Sequence, residues 1–330
     1  MAWFIILHRS LDDNAPLPDA VPRLTARLTA GEEPATISCR ILPAGDSNPA
    51  PATRRPNARR RFRVTASMRP ADHAWGSGWS RRALVFVAAG IGVLAVLGQE
   101  TGFRTRQLRY PRVRAAAATR TAVLEQRFRN RGVAYPPRAV FLRALKEEQL
   151  LELWAGAGAR APFAHVADYP FCATSGGPGP KRRQGDGQIP EGFYVIDRFN
   201  PASRFHLSLG LDYPNTSDRR RGIPGCLGGD IFIHGGCATI GCIPLTDSGI
   251  EEIYLAAVAA IDAGQRAIPV HIYPARLDVE GFDRLAARFA HRPDLLEFWR
   301  EIRPAYAYFE THRRLPVIRV EDTGHYRIQP

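Results

Sequence analysis

Residues 229–246 read GDIFIHGGCATIGCIPLT, and the order of residue types in this stretch decides how the chain is read. The short run Ile231, Phe232, Ile233 delivers His234, a Gly-Gly turn follows at 235–236, and Cys242 stands directly after Gly241. Runs rich in Val, Ile and Phe bounded by glycine form strands. His234 is therefore expected at a strand end, with Cys242 on a loop just beyond it. A cysteine that attacks a carbonyl must first lose its proton, which a nearby imidazole promotes. It also needs backbone N–H groups aimed at the developing oxyanion, and glycine lets the backbone come that close. Spacing alone leaves the other reading open, in which Cys242 is a small buried apolar residue and His234 a satisfied polar one.

Several separate motifs in order add context. Ile233-His234-Gly235 and Thr239-Ile240-Gly241-Cys242 resemble the Ile-His-Gly and Ser/Thr-x-Gly-Cys elements of the L,D-transpeptidase catalytic domain (YkuD-type) family, and most closely its YafK-like branch. Upstream, Gly185-Asp186 and Pro190-Glu191-Gly192-Phe193-Tyr194 are similar to that family's Gly-Asp and Pro-Glu-Gly segment, and 205–209 and 213–215 match the branch. The resemblance runs from about Tyr135 to the C-terminus. It implies a β-rich α+β fold, a YkuD-like β-sandwich core with appended helices. It also implies an acyltransferase that needs no cofactor and acts on peptidoglycan stem peptides. In that reading Cys242 is the nucleophile, His234 the general base, Thr239 orients His234 through its backbone carbonyl, and Gly241 lends its backbone N–H to the oxyanion hole. Gly235, Gly236, Ile240, His206 and Lys181 are the candidate substrate contacts. For His206 cross-strand packing is the alternative, and for Lys181 a place in a solvated loop. Two departures from the wider family stand out. Ile240 occupies a position where many members carry His or Lys, and Pro244 one where many carry Arg. They leave the acyl acceptor open: a second stem peptide, a wall-anchored lipoprotein, or water.

Composition narrows the classes further. The 330 residues are 45% hydrophobic, enough for a sizeable core, and carry a formal net charge of +13. Residues 1–82 hold 13 Arg against 7 acids and residues 99–135 hold 9 Arg against 2, which accounts for all of that charge. The chain from Pro136 onward is formally neutral and has no global basic field for a phosphate backbone, so nucleic acid is not an expected partner.

The organisation reads as four parts. Residues 1–82 are rich in Arg, Pro and Ala without apolar periodicity, which favours disorder. Met68 is the only methionine after Met1, so translation starts there or the stretch before it is a genuine extension. Residues 83–98 are uncharged and apolar behind Arg81-Arg82, long for a signal-peptide core and short for a full span. They are a cleaved signal or an uncleaved inner-membrane anchor, with a buried core helix as the remaining alternative. In the first two cases the rest of the chain is exported to the periplasm. Residues 99–134 read as a basic helical linker, and 135–330 as the catalytic domain.

Within that domain 140–145 and 150–154 read as a hairpin, with further strands at 171–175, 192–196, 205–209, 268–273 and 317–320. Ser248 and Glu251 form a capping-box pattern at the head of a helix ending near Gly264, and 282–290 and 294–309 are helical. Five cysteines, Cys39, Cys172, Cys226, Cys237 and Cys242, are too few for a disulfide scaffold in a chain this long. A Cys226–Cys237 bridge that leaves Cys242 free is the expected pairing. Cys226, His234, Cys237 and Cys242 as a zinc set is one rival reading, although their spacing matches no common zinc module, and a non-catalytic wall-binding module that has kept the fold is the other.

Overall fold

The computed structural model describes residues 102–158 and 160–330, so the expectations for 1–82 and 83–98 lie outside the described residues. Among the described residues no helix is long and apolar enough to cross a membrane.

The hairpin is formed by β1 (Ala139–Leu145) and β2 (Leu150–Gly156), with Arg143 opposite Glu152. Every residue of β1 is buried, as expected of a central strand covered on both faces. Its one charge, Arg143, is bonded to Glu152 at 2.6 Å and to Glu310, and lies against the rings of Trp154, Tyr306 and Phe309. Removing one member of such a buried pair leaves an uncompensated charge, a loss of about 3–5 kcal/mol.

The remaining strands are β3 (Ala164–Pro170), β4 (Gly192–Asn200), β5 (Ser208–Leu211), β6 (Phe232–His234), β7 (Ile243–Pro244) and β8 (Pro269–Tyr273). They join in the order β3-β2-β1-β8-β4-β5-β6-β7, with β1–β8 and β6–β7 parallel and the other pairs antiparallel. β4 is shared by two half-sheets. Residues 192–195 pair with β8, and Ile196 to Asn200 pair with β5 across a register shift between Ile196 and Arg198. A bulge bends its strand and steepens the twist, and here it curls the sheet. This is the β-rich α+β architecture expected, a curled sandwich-like core with appended helices. The strand foreseen at 171–175 lies earlier, at β3, and the one at 205–209 begins only at Ser208.

The long helix comes directly after β7. Among the helices α1 (Phe103–Gln107), α2 (Pro111–Asn130), α3 (Thr216–Arg221) and α4 (Asp247–Asp262), α4 is buried over most of its surface, with Ile250, Ile253, Tyr254, Ala257 and Val258 in the core. It touches β1, β5 and β6, and α1 and α2 cover it from the other side. Thr246, rather than the expected Ser248, caps it, accepting the Gly249 N–H at 3.1 Å. The segment read as a linker contributes to this core. Val113, Ala116, Leu124 and Phe128 of α2 are fully buried, and Arg120 and Arg127 reach Glu251 and Glu252 of α4 at 2.9 and 2.8 Å. Its many arginines hid a helical stripe that faces inward. Helices α5 (Val279–Arg288) and α6 (Pro293–His312) and a terminal hairpin of β9 (Val317–Val320) with β10 (Tyr326–Gln329) complete the chain.

Candidate active site

The pairing of β4 to β7 builds the site. Across these strands Phe199, Leu209, Ile233 and Ile243 stand in one row, and the last three are fully buried. Side chains alternate across a sheet, so the neighbouring rows face the opposite side. One of these runs Arg198, Gly210 and Phe232, and Cys242 lies beside it just before β7, its Sγ on the Phe232 N–H. The next runs Asn200, Ser208, His234 and Pro244. His234 thus closes β6 and Cys242 stands just before β7, one diagonal step apart, roughly 8 Å between backbones given ordinary strand spacing and rise. That separation is one which two side chains can bridge.

Burial favours the neutral form of both groups. Burial pushes the Cys242 thiol above its usual value; the Phe232 N–H, 3.4 Å from Sγ, and the charge of Lys181 pull the other way, while Asp230 adds to the rise. The thiol donates to the Asp230 carbonyl at 3.7 Å. Burial lowers the His234 imidazole, opposed by its bond to the Gly235 carbonyl at 2.6 Å. A carbonyl only accepts, so Nδ1 carries the proton and Nε2 keeps its lone pair. Phe205, which the sequence reading passed over, lies against the His234 ring at 4.7 Å between centroids. Among the described residues Cys242 is the free cysteine.

Thr239 acts elsewhere than expected. The imidazole is oriented by Gly235, because the chain turns at Gly236 and brings that carbonyl beside its own neighbour's ring. Thr239 instead folds back on the nucleophile: its hydroxyl accepts the Gly241 and Cys242 N–H groups at 3.1 and 2.8 Å and donates to the Cys242 carbonyl at 2.8 Å. The Gly241 N–H expected in an oxyanion hole is therefore engaged by Thr239 in the resting site. Gly241 itself has φ +138°, and a β-carbon there would sit 3.0 Å from the Gln188 carbonyl. Both conformation and approach demand glycine.

The disulfide also differs. Cys237 pairs with Cys172, not Cys226, and ties the segment after β3 to the turn that leads into Thr239. Sequence proximity suggested the wrong partner, because Cys172 is 65 residues away and arrives through the fold. With Cys237 bonded to sulfur, the zinc set loses a thiolate ligand, and no cluster of three or more metal-ligating side chains occurs among the described residues.

The other expected contacts divide. Ile240 projects beside the nucleophile, 88% exposed. Gly235 and Gly236 face the head of α4: a β-carbon on Gly235 would strike Asp247 and Ile250, and the Gly236 N–H donates to Asp247 at 3.0 Å. His206 lies off the strands and bonds Glu251 at 2.9 Å, so it anchors the 201–207 turn to α4. Lys181 is buried and held by Asp186 at 2.7 Å and the Arg183 carbonyl, which removes it from direct substrate contact although its charge reaches the thiol.

Those bonds belong to two knots that set the loop against Gly241. Burial would raise the Asp186 carboxyl, but Lys181 and the N–H groups of Arg182, Arg183 and Gln188 hold it below the usual range. Glu191, also buried, accepts from Lys146 at 2.9 Å, the Gly179 N–H at 2.6 Å and Trp299 Nε1 at 2.8 Å. The Gly-Asp and Pro-Glu-Gly segments thus shape the wall of the site.

The model of the L,D-transpeptidase catalytic domain, YkuD, matches residues 141–272. Over 184 residues, 55% of this chain and 70% of the relative, the chain is 36% identical to the protein named "Putative L,D-transpeptidase YafK" in each of two strains of Escherichia coli. Among solved structures, the helical cell shape determining protein Pgp2 from Campylobacter jejuni is 17% identical with TM-score 0.34, covering 60% of this chain and 80% of that one. Bd1075 of Bdellovibrio bacteriovorus is 18% identical with TM-score 0.30, covering 55% and 62%. By the extent and identity of the YafK match, the chain belongs to the L,D-transpeptidase catalytic domain family.

Proposed function

We propose that this protein is a cysteine acyltransferase that acts on peptidoglycan stem peptides through a thioester on Cys242. The observation that carries the reading is the placing of His234 at the end of β6 and Cys242 just before β7, its thiol on the Phe232 N–H and the Asp230 carbonyl, beside a row of Ile233 and Ile243 turned into the core. Nε2 of His234 takes the proton from Sγ as sulfur attacks the peptide carbonyl, and the imidazolium then protonates the departing amine. Because burial favours the neutral form of both groups, proton transfer accompanies attack rather than preceding it. The thioester carbonyl is next attacked by an amine, whose proton passes to His234; the C–S bond breaks and sulfur recovers a proton. Water in place of the amine gives hydrolysis. Ile240 and Pro244 supply no donor or clamp at the positions where many family members have one, which directs attention to the acceptor as the variable element.

The Cys172–Cys237 disulfide suits an oxidising compartment, in keeping with action in the periplasm on the cell wall. Incubating the full chain with muropeptides and identifying products by mass tests the reading. New crosslinked, amine-exchanged or shortened peptides that vanish with Cys242→Ala support it, and unchanged muropeptides reject it.

A further inference from the structure

Beside Cys242 stands a charged pair that the reaction outlined above does not use. In the register row Arg198–Gly210–Phe232, Arg198 starts two strands away from the Phe232 ring. It reaches that ring because the residue between them is glycine. A β-carbon at Gly210 would lie 2.7 Å from Arg198 Nε and 2.9 Å from Asp197 Oδ1. The guanidinium crosses this gap and rests 4.9 Å from the Phe232 centroid, one strand from the nucleophile. There it meets Asp230 at 3.0 Å, with Asp197 on Nε at 3.0 Å. Asp230 is held in the left-handed region, φ +56°, and it is the residue whose carbonyl receives the Cys242 thiol. The Asp230 side chain is 80% exposed and that of Arg198 45%.

A solvated surface pair contributes little to stability. Stability therefore does not account for a glycine gap, an aromatic platform and a left-handed aspartate that meet at the nucleophile. Their chemistry is directional. Two carboxylates against one guanidinium leave a net negative charge that favours an ammonium, while the planar guanidinium has donors beyond the two engaged here, suited to a carboxylate.

We propose that Arg198 and Asp230 form the acyl-acceptor subsite, and that it selects an amine bearing a carboxylate on the same carbon, an amino-acid end. This rests on the Cys242 thioester reading and names its acceptor. The ammonium is drawn to Asp230 and the carboxylate to Arg198. The ammonium first loses one proton to solvent; the amine then gives up a second to His234 as its nitrogen bonds the thioester carbon, the C–S bond breaks, and the departing sulfur takes that proton back from the imidazolium, producing an amide and a free thiol.

The test offers the full chain a muropeptide donor with D-alanine and D-alaninamide at equal concentrations of free amine, which corrects for the lower basicity of the amide and leaves the carboxylate as the difference. Products are measured by mass as a ratio, so slow acylation in a variant does not affect the result. The wild type should favour D-alanine by about tenfold or more, the scale of one charge-assisted hydrogen bond. Arg198→Gln should bring the ratio towards one. Gly210→Ala should do the same, since it keeps every charge and displaces the guanidinium. Equal use of the two amines by the wild type, or an unchanged ratio in Arg198→Gln, overturns the subsite. If no thioester mass forms on Cys242 with any acceptor, the acyltransfer reading falls and the subsite falls with it; a thioester without discrimination rejects the subsite alone.

Discussion

Thr239 closes a ring on Cys242, accepting its N–H and donating to its carbonyl, both at 2.8 Å. One hydroxyl thereby sets the backbone of the nucleophile from both sides. Thr239→Val keeps the shape and removes the hydroxyl, leaving the Cys242 and Gly241 N–H groups without that acceptor. We expect turnover to fall on the order of 10²-fold, as for a reacting group moved by about an ångström, and Thr239→Ser to restore most of it. Full activity in the valine variant would show that the ring does not position the nucleophile.

Gly241 is held between conformation and contact. Gly241→Ala meets both a φ of +138° and the Gln188 carbonyl. The expected cost is about 1–3 kcal/mol of stability together with loss of activity. Denaturant unfolding and muropeptide turnover measured on the same preparation check this, and a variant of unaltered stability would contradict it.

The electrostatics of the pair set a pH profile. Burial lowers the His234 imidazole, so the neutral base persists below the usual histidine range and the acidic limb of kcat/KM should lie under about 6.5. Burial raises the Cys242 thiol, so the thiolate appears only above the usual cysteine range. Alkylation by iodoacetamide should therefore be slow at neutral pH and still rising at pH 9. A plateau near pH 6 would reveal a preformed thiolate–imidazolium pair and overturn the neutral resting state.

The Cys172–Cys237 bridge carries the turn into Thr239 across to the segment after β3. Cys172→Ser should lower stability by about 2–4 kcal/mol and reduce turnover, because the nucleophile loop loses its tether. Thermal unfolding and turnover, each with and without reductant, measure both effects. If the reduced protein matches the oxidised one, the bridge plays no part in the site.

How legible this was depended on range. His234 and Cys242 were readable because a three-residue strand and a glycine turn place both within nine positions, and the hairpin and α4 because their periodicity is local. The Cys237 partner, the Glu191–Lys146–Trp299 knot and the inward stripe of α2 involve residues 45 to more than 100 positions apart, or apolar residues outnumbered by arginine, and left no local trace. Lys181 and Thr239 were misplaced for a related cause. A cation in a Gly/Pro-rich loop and a threonine in a motif both look available until the Asp186 knot and the Cys242 backbone claim them. The row joining Arg198 to Phe232 depends on the register of β4, β5 and β6, which the loops between them do not declare.

The central claim is a covalent bond at one sulfur. Intact-protein mass measurement of the full chain, quenched in acid within seconds of mixing with a muropeptide donor, tests it most directly. The account predicts a mass gain equal to the acyl portion of the peptide, located on Cys242 by fragmentation, absent in Cys242→Ala and slow to form in His234→Ala by about 10²–10⁴-fold. Peptide turnover that proceeds in Cys242→Ala, or an adduct on another residue, would contradict it.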